Sequence, residues 1–188
     1  MGSGTSGSRK KDVKLVRPVS VVVFGATGMI GGSVARTLSN SQKFKVTVVT
    51  RNPSNSLIRR LEKDGAEIRT ADLNDPKSLV RVVHGADAMF LVTHYWEHLS
   101  KRSETQQGMN AVYAAIKCNI KHLVFYGAES CVCATGQRCG YMDAKAAIEE
   151  YIKGTGLPYT ILRASFFYEN FLSIFKPHNI GDNVFVIG

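Results

Sequence analysis

The sequence contains no long apolar run and few cysteines, and each shortage excludes a class of protein. No stretch of its 188 residues approaches the roughly 20 consecutive apolar residues of a membrane-spanning helix, so we expect no membrane partner. No cationic segment followed by an apolar run stands near Met1, so we expect no secretory signal. The four cysteines, Cys118, Cys131, Cys133 and Cys139, are typical of a reduced cytoplasmic or nuclear protein. Cys131, Cys133 and Cys139 lie close together in the sequence, but no well-placed fourth ligand completes a zinc site, so we expect no metal.

A continuous basic surface is also missing, although the net charge is +9. Five Lys or Arg residues and one Asp precede Val19, which leaves a net charge of +5 for the rest of the chain, where basic and acidic residues alternate. We therefore expect no direct contact with nucleic acid. Residues 1–8 have the Gly, Ser and Thr content of an expression leader, and we expect residues 1–17 to be a disordered leader and basic tail.

Strand and helix patterns alternate along residues 18–188, which predicts one domain of the α/β class, a doubly wound parallel sheet. We expect strands over 19–24, 44–50, 66–71, 88–93, 122–126 and 159–163, and helices over 30–39, 55–64, 76–84, 104–118 and 141–153. Between them, 127–140 is predicted to be irregular. A further helix is expected from about residue 171 and a last strand over 182–188.

A glycine-rich turn between the first strand and the first helix is the most informative motif. Gly25, Gly28 and Gly31 are spaced G-x-x-G-x-x-G, which lets the backbone turn sharply, approach a pyrophosphate and pack the helix close to the sheet. The phosphates would face N–H groups at the positive end of the helix. This predicts a dinucleotide site of the Rossmann type, and an ordinary glycine turn is the alternative.

No acidic residue stands at the end of the second strand, where a carboxylate would bind the free 2′-hydroxyl of NAD. Arg51 is found there, and its guanidinium offers paired donors and a permanent charge that suit a 2′-phosphate. We therefore predict NADP(H) as the cofactor. The alternative is a solvated arginine at a strand end.

Five segments together resemble the NmrA-like family, atypical members of the short-chain dehydrogenase/reductase superfamily: 21–28, 31–38, 48–53, 93–97 and 167–170. The resemblance covers nearly the whole chain after the tail. It implies a phosphate loop that consists of Gly25, Ala26, Thr27, Gly28, Met29, Ile30 and Gly31. It also implies that Arg51 and Asn52 contact the 2′-phosphate, that Asp72 and Leu73 contact the adenine, and that Lys145 contacts the ribose. Thr93, His94 and Tyr95 would run along the cofactor, and Phe167, Tyr168, Glu169 and Asn170 would close over the nicotinamide.

The chain departs from the family pattern at two positions and in its length. Asn55 and Gln106 stand where the family carries cations, which should weaken NADP binding. Family members also continue into a smaller C-terminal lobe. We expect that lobe to be largely absent and the domain to be truncated.

A possible catalytic pair lies at the start of the helix predicted after strand five. Tyr141 and Lys145 are four residues apart and share one helix face, so the ammonium could lower the tyrosine pKa and help it exchange a proton with a carbonyl oxygen. Ser130 could donate a hydrogen bond to the same oxygen. A tyrosine that contacts ribose or packs, and a solvated lysine, are the alternatives.

The resemblance implies an NADP(H)-binding redox sensor that acts through regulatory protein partners or a second copy of itself, in the cytoplasm or nucleus. The alternative is an NADPH-dependent quinone or carbonyl reductase that uses Tyr141 and Lys145.

Overall fold

A parallel sheet of six strands forms the centre of the molecule, in a computed structural model that describes residues 17–164, 166–173 and 175–187. The strand order is β3-β2-β1-β4-β5-β6, and every neighbouring pair is parallel. The predicted doubly wound α/β fold is therefore confirmed. The strands are β1 (Val19–Phe24), β2 (Phe44–Thr50), β3 (Glu67–Thr70), β4 (Ala88–Leu91), β5 (His122–Gly127) and β6 (Tyr159–Arg163).

Helices connect the strands and cover both faces of the sheet. They are α1 (Met29–Ser39), α2 (Ser56–Lys63), α3 (Pro76–Val83), α4 (Lys101–Lys117), α5 (Cys131–Thr135) and α6 (Gly140–Lys153). Among the described residues no helix is both long and apolar enough to cross a bilayer. The leader and basic tail predicted for 1–17 lie, except for Arg17, outside the described residues.

Strand β1 shows why the sheet is buried on both faces. Its side chains alternate between two apolar clusters, with Val22 and Phe24 in one and Val21 and Val23 in the other. A strand covered on both sides is a continuous apolar run in the sequence, because neither face needs polar residues.

Local hydrogen bonds set the helix starts. The Asn55 side chain accepts a hydrogen bond from the Leu57 N–H at 2.9 Å, so α2 begins at Ser56. The Ser100 hydroxyl accepts one from Ser103 N–H at 3.2 Å, and α4 therefore begins at Lys101, three residues before the predicted start.

Two predictions at the C-terminal side are wrong. The stretch 127–140 is not wholly irregular, because it contains α5, and no α-helix starts at 171 among the described residues. A short 3₁₀ helix, Tyr168–Leu172, stands there instead. Beyond it, the last strand is half of an antiparallel hairpin of β7 (His178–Gly181) and β8 (Val184–Val186), separate from the main sheet.

Candidate dinucleotide site

The glycine loop lies between β1 and α1, beside the point where the strand order reverses. Gly25 has φ +73°, and a Cβ there would stand 2.5 Å from Val92 Cγ1 and 2.9 Å from the Val92 carbonyl oxygen. A Cβ at Gly31 would stand 2.4 Å from the Gly25 carbonyl oxygen. Only glycine permits this turn and this close approach of α1 to the loop.

Helix α1 presents its N-terminus without a side-chain cap. Gly28 is the capping residue, and its N–H donates to the Gly25 carbonyl at 3.0 Å. Its φ is −89°, so the left-handed position of the motif is Gly25 and not Gly28. Ala26 is buried, whereas Thr27 and Met29 are exposed and Ile30 is half-buried. The first-turn N–H groups of α1 and its positive dipole end therefore fit a pyrophosphate, with no side chain in competition.

A cavity of about 290 Å³ adjoins this loop between α1 and α2. It is lined by Ala26, Gly28, Leu57 and Leu61, and by the charged side chains of Arg36, Arg60 and Asp64. Sequence reasoning missed both arginines, because nothing in the local pattern separates them from solvated helix residues.

Arg51 follows β2 directly, as predicted, and is already paired. Its Nη1 donates to Glu97 Oε1 at 2.5 Å. This hydrogen bond, with the charges of Glu97 and Asp72, raises the pKa of Arg51 despite some burial. Asn52 shapes the turn, because its N–H donates to Thr50 Oγ1 and its side chain accepts from the Ser54 N–H. Sequence reasoning did not predict Glu97 as a partner.

Asp72 and Leu73 follow β3 and are held from both sides. The Asp72 N–H donates to Ser78 Oγ at 3.2 Å, and the Leu73 carbonyl accepts from Asn110 Nδ2 at 2.8 Å. The Asp72 carboxylate accepts a hydrogen bond from the Asn74 N–H at 2.8 Å. These bonds fix the loop on the side where adenine was predicted to lie.

Lys145 is buried in an ionic network beneath the end of β4. Its ammonium donates to the Thr93 carbonyl at 3.0 Å, to Thr93 Oγ1 at 3.1 Å and to Glu104 Oε1 at 2.6 Å. Thr93 Oγ1 donates to the same Glu104 oxygen at 2.6 Å. Lysine has three N–H donors, and all three are engaged. The predicted ribose contact of Lys145 would therefore replace one of these bonds.

Glu104 is the buried charged residue at the site that sequence reasoning missed most clearly. It is 1% exposed, and its Oε2 has no hydrogen-bond partner among the described residues. Glu104, Gly108, Ala111 and Ala115 recur at the spacing of one helix face, and all are buried. A glutamate on the same helix face as small residues was the sequence feature that could have predicted its burial.

Tyr141 faces an aromatic cluster after β4. Its ring stacks on Trp96 with a centroid separation of 5.8 Å and lies 6.5 Å from the Tyr95 ring. The Tyr95 hydroxyl donates to the Leu99 carbonyl at 3.2 Å. Residues 95–97 form a short 3₁₀ helix, and His94, which precedes it, is exposed and makes no side-chain capping hydrogen bond. The structure thus places the Tyr95 and Tyr141 rings side by side.

Ser130 is engaged as a helix cap. Its Oγ accepts from the Cys133 N–H at 3.3 Å, at the start of α5. The neighbouring Asp143 carboxylate, a second residue that sequence reasoning missed, accepts from the N–H groups of Cys139 and Cys131 at 3.0 and 3.1 Å. These backbone hydrogen bonds, that of Cys139 foremost, lower the pKa of Asp143.

The segment predicted to close over the nicotinamide begins at a packed residue. The Phe167 ring stacks on Tyr126 of β5, with centroids 6.4 Å apart. The Asn170 N–H donates to the Phe167 carbonyl at 3.0 Å, which closes the first turn of the 3₁₀ helix. Tyr168, by contrast, is 86% exposed, and Glu169 is also exposed. Of this segment, the structure anchors only Phe167 to the sheet beside the site.

No group of three or more His, Cys, Asp or Glu side chains that could hold a metal ion is present in the described part of the chain.

Comparison with known proteins agrees with this geometry. The profile of the NmrA-like family matches residues 19–187. An NmrA-like family domain-containing protein of Dictyostelium discoideum is 31% identical over 165 residues, which cover 84% of this chain and 54% of that protein. The chain spans about half the length of the curated relatives that it matches.

Solved structures show the same fold. The triphenylmethane reductase of Citrobacter sp., determined as a complex with NADP(H), has a TM-score of 0.68 and 28% identity over 81% of this chain and 51% of its own. NmrA, a negative transcriptional regulator, has a TM-score of 0.74 and 18% identity over 82% of this chain and 48% of its own. The second likeness concerns the fold alone.

Proposed function

Because the chain belongs to the NmrA-like family, we propose that it binds NADP(H) and acts as a redox sensor through protein contacts. The observation that carries the proposal is the uncapped N-terminus of α1 behind the left-handed Gly25. It lies where the sheet order reverses, which is the place where sheets of this kind bind ligands.

The charges around the site support the phosphorylated cofactor. Arg51 at the end of β2 offers a permanent cation for a 2′-phosphate, and no carboxylate on β2 is available for a free 2′-hydroxyl. The NADP(H) complex of the Citrobacter reductase supports the same cofactor.

An exposed apolar surface supports action through protein contacts. Large apolar side chains are exposed throughout the end of the described chain, and we call them the C-terminal apolar surface: Tyr159, Leu162, Phe166, Tyr168, Phe171, Leu172, Phe175, Ile180, Val184, Phe185, Val186 and Ile187. Exposed apolar side chains in this number mark a face that packs against further protein. Because the chain spans about half the length of its relatives, this face suits a partner protein or the smaller C-terminal lobe of the family. Strand β6, at the edge of the sheet, adds backbone groups that have no strand neighbour on one side among the described residues.

A loop substitution tests cofactor binding. Gly28→Val places a branched side chain where the pyrophosphate must approach, and we expect it to abolish NADP⁺ binding in titration calorimetry. A Cβ at Gly28 would lie 3.4 Å from the Gly25 carbonyl, and φ is −89°, so the variant should fold. Circular dichroism provides the folding control. If the folded variant binds NADP⁺ with unchanged affinity, the loop is a structural turn that does not contact the pyrophosphate.

Sensing requires that NADP⁺ bind two states of the chain differently. Hydrogen exchange with and without NADP⁺ should show protection in residues 51–57 and 167–170, with the central strands unchanged. Identical exchange maps would leave a passive binder.

A reductase is the second candidate function. It is favoured by Tyr141 and Lys145, which lie in the first two turns of α6, beside residues 93–97. Bound NADPH would supply the hydride, and Tyr141 would supply the proton to the acceptor oxygen. General acid catalysis is worth about 10²–10⁴-fold, so Tyr141→Phe should lower turnover by that order without loss of NADPH affinity.

NADPH oxidation with a panel of quinones and carbonyls decides between the two functions. The sensor proposal expects little or no turnover, because Lys145 and Ser130 are already engaged by Glu104, Thr93 and α5. Fast turnover that is lost in Tyr141→Phe would instead establish the reductase.

A further inference from the structure

We propose that Glu97 competes with the 2′-phosphate of NADP(H) for Arg51, and that this exchange moves the Tyr95–Glu97 turn against helix α6. The inference rests on the proposed function, because it requires NADP(H) to bind at the end of β2. It assigns to Glu97 a role in cofactor specificity and in the transmission of binding.

The competition follows from the ion pair itself. Arg51 and Glu97 are 46 positions apart in the chain, and their side chains are joined at 2.5 Å. Both side chains retain solvent exposure, 53% for Arg51 and 30% for Glu97. Exposed pairs of this kind contribute little to stability, so another anion displaces the carboxylate at low cost.

A 2′-phosphate is a stronger partner than a carboxylate. It carries about −1.5 to −2 charges near neutral pH and several acceptor oxygens. A phosphate bound at Arg51 would meet the Glu97 carboxylate as a like charge. Asp72 contributes a second negative charge near Arg51. Among the described residues, however, it is the Glu97 side chain that accepts the hydrogen bond from Arg51.

The turn that carries Glu97 is packed against α6. Trp96, the preceding residue, stacks on Tyr141 with rings 5.8 Å apart and 30° between their planes. A Cβ at Gly140, the first residue of α6, would stand only 2.3 Å from the Tyr95 hydroxyl. Release of Glu97 therefore changes the surroundings of both aromatic rings and of the first turn of α6.

The chain contains a built-in probe of this movement. Trp96 is its single tryptophan and is 64% exposed. Its emission therefore reports the Tyr95–Glu97 turn without added labels.

The experiment compares Glu97→Gln with the wild type and with a matched control, Glu150→Gln. Glu150 also pairs with a cation at 2.5 Å, the exposed Lys153 of α6. Glu150→Gln therefore changes the net charge by the same amount as Glu97→Gln. In calorimetry we expect Glu97→Gln to bind NADP⁺ about three- to tenfold more tightly than the wild type or Glu150→Gln, with NAD⁺ affinity unchanged.

Trp96 fluorescence measures the movement. Adenosine 2′,5′-bisphosphate, which lacks a nicotinamide ring, should shift Trp96 emission in the wild type. Glu97→Gln should show the shifted emission before ligand is added.

Three results would overturn the inference. Equal NADP⁺ affinity of Glu97→Gln and Glu150→Gln would show that Glu97 does not compete with the 2′-phosphate. If the wild type binds NADP⁺ but its Trp96 emission does not respond to adenosine 2′,5′-bisphosphate, the Tyr95–Glu97 turn does not move on binding. A wild type that binds neither NADP⁺ nor NAD⁺ would overturn the proposed function itself, and this inference with it.

Discussion

At the scale of single residues, Lys145 and Glu104 form a buried ion pair in which each charge depends on the other. Lys145 is 7% exposed and Glu104 is 1% exposed. Two desolvated charges are tolerated only as a pair with further hydrogen bonds, which Thr93 supplies. A position that looks like a surface lysine in the sequence is therefore part of the interior.

Removal of one partner should be far more harmful than removal of both charges. Glu104→Gln leaves a buried ammonium without a countercharge, and we expect a loss of about 3–5 kcal/mol in the free energy of unfolding. The double variant Glu104→Gln, Lys145→Met has no charge at either position and keeps an acceptor for the Thr93 hydroxyl. It should therefore recover most of the lost free energy of unfolding. Urea unfolding of the wild type, both single variants and the double variant measures the coupling. Additive losses would contradict the buried pair.

These residue contacts also mark what the sequence could not predict. Arg51–Glu97 and Lys145–Glu104 join residues 46 and 41 positions apart, and both depend on the strand order. The sequence pattern made Arg51 and Lys145 candidate site residues by their places after β2 and on α6. It could not identify their partners, because which glutamate lies opposite is decided by packing and not by local spacing.

At the scale of elements, the strands were predicted better than the helix ends. β1, β2 and β6 have the predicted bounds. For β1 and β2 the reason is burial, because buried parallel strands are apolar runs with clear ends. The helix ends depend on capping side chains such as Ser100, which the apolar periodicity does not include. The helix predicted from about residue 171 overlaps only the end of the 3₁₀ helix Tyr168–Leu172.

Asp87 joins three elements at the N-terminal edge of the sheet. Its carboxylate accepts from Arg17 at 2.8 Å, from Lys121 at 2.8 Å and from the Ser20 N–H at 3.0 Å. Hydrogen bonds from Arg17, then Lys121, then Ser20 lower the pKa of Asp87 far below its usual value. A lowered pKa means that the folded state favours the carboxylate.

The Asp87 contribution to stability should therefore be present above the unfolded pKa, near 3.8, and should be lost as pH falls below it. We expect Asp87→Asn to be less stable than the wild type at pH 7 and the difference to shrink steadily between about pH 4 and pH 2. Thermal or urea unfolding at several pH values measures this. A difference that is constant with pH would show that the charge of Asp87 is not responsible.

At the scale of the whole molecule, the candidate phosphate-binding residues and the C-terminal apolar surface are found in one chain. The glycine loop, Arg51 and the turn with Glu97 lie at the carboxyl ends of β1, β2 and β4, and the C-terminal apolar surface begins at the edge strand β6. The sequence singled out Arg51 and the glycine loop of the candidate site, because glycine spacing and a strand-end cation are local signals. The extent of the apolar surface depends on which residues pack on the sheet, so it required the structure.

The most direct test of the account is the cofactor preference of the wild-type chain. Charge-assisted hydrogen bonds from Arg51 to a 2′-phosphate are worth about 1.5–3 kcal/mol, or on the order of tenfold or more in affinity. Because Glu97 competes for Arg51, titration calorimetry should show NADP⁺ bound more tightly than NAD⁺ in the wild type by about tenfold, with that preference lost in Arg51→Ala. Equal affinity of the wild type for the two dinucleotides, or binding of neither, would contradict it.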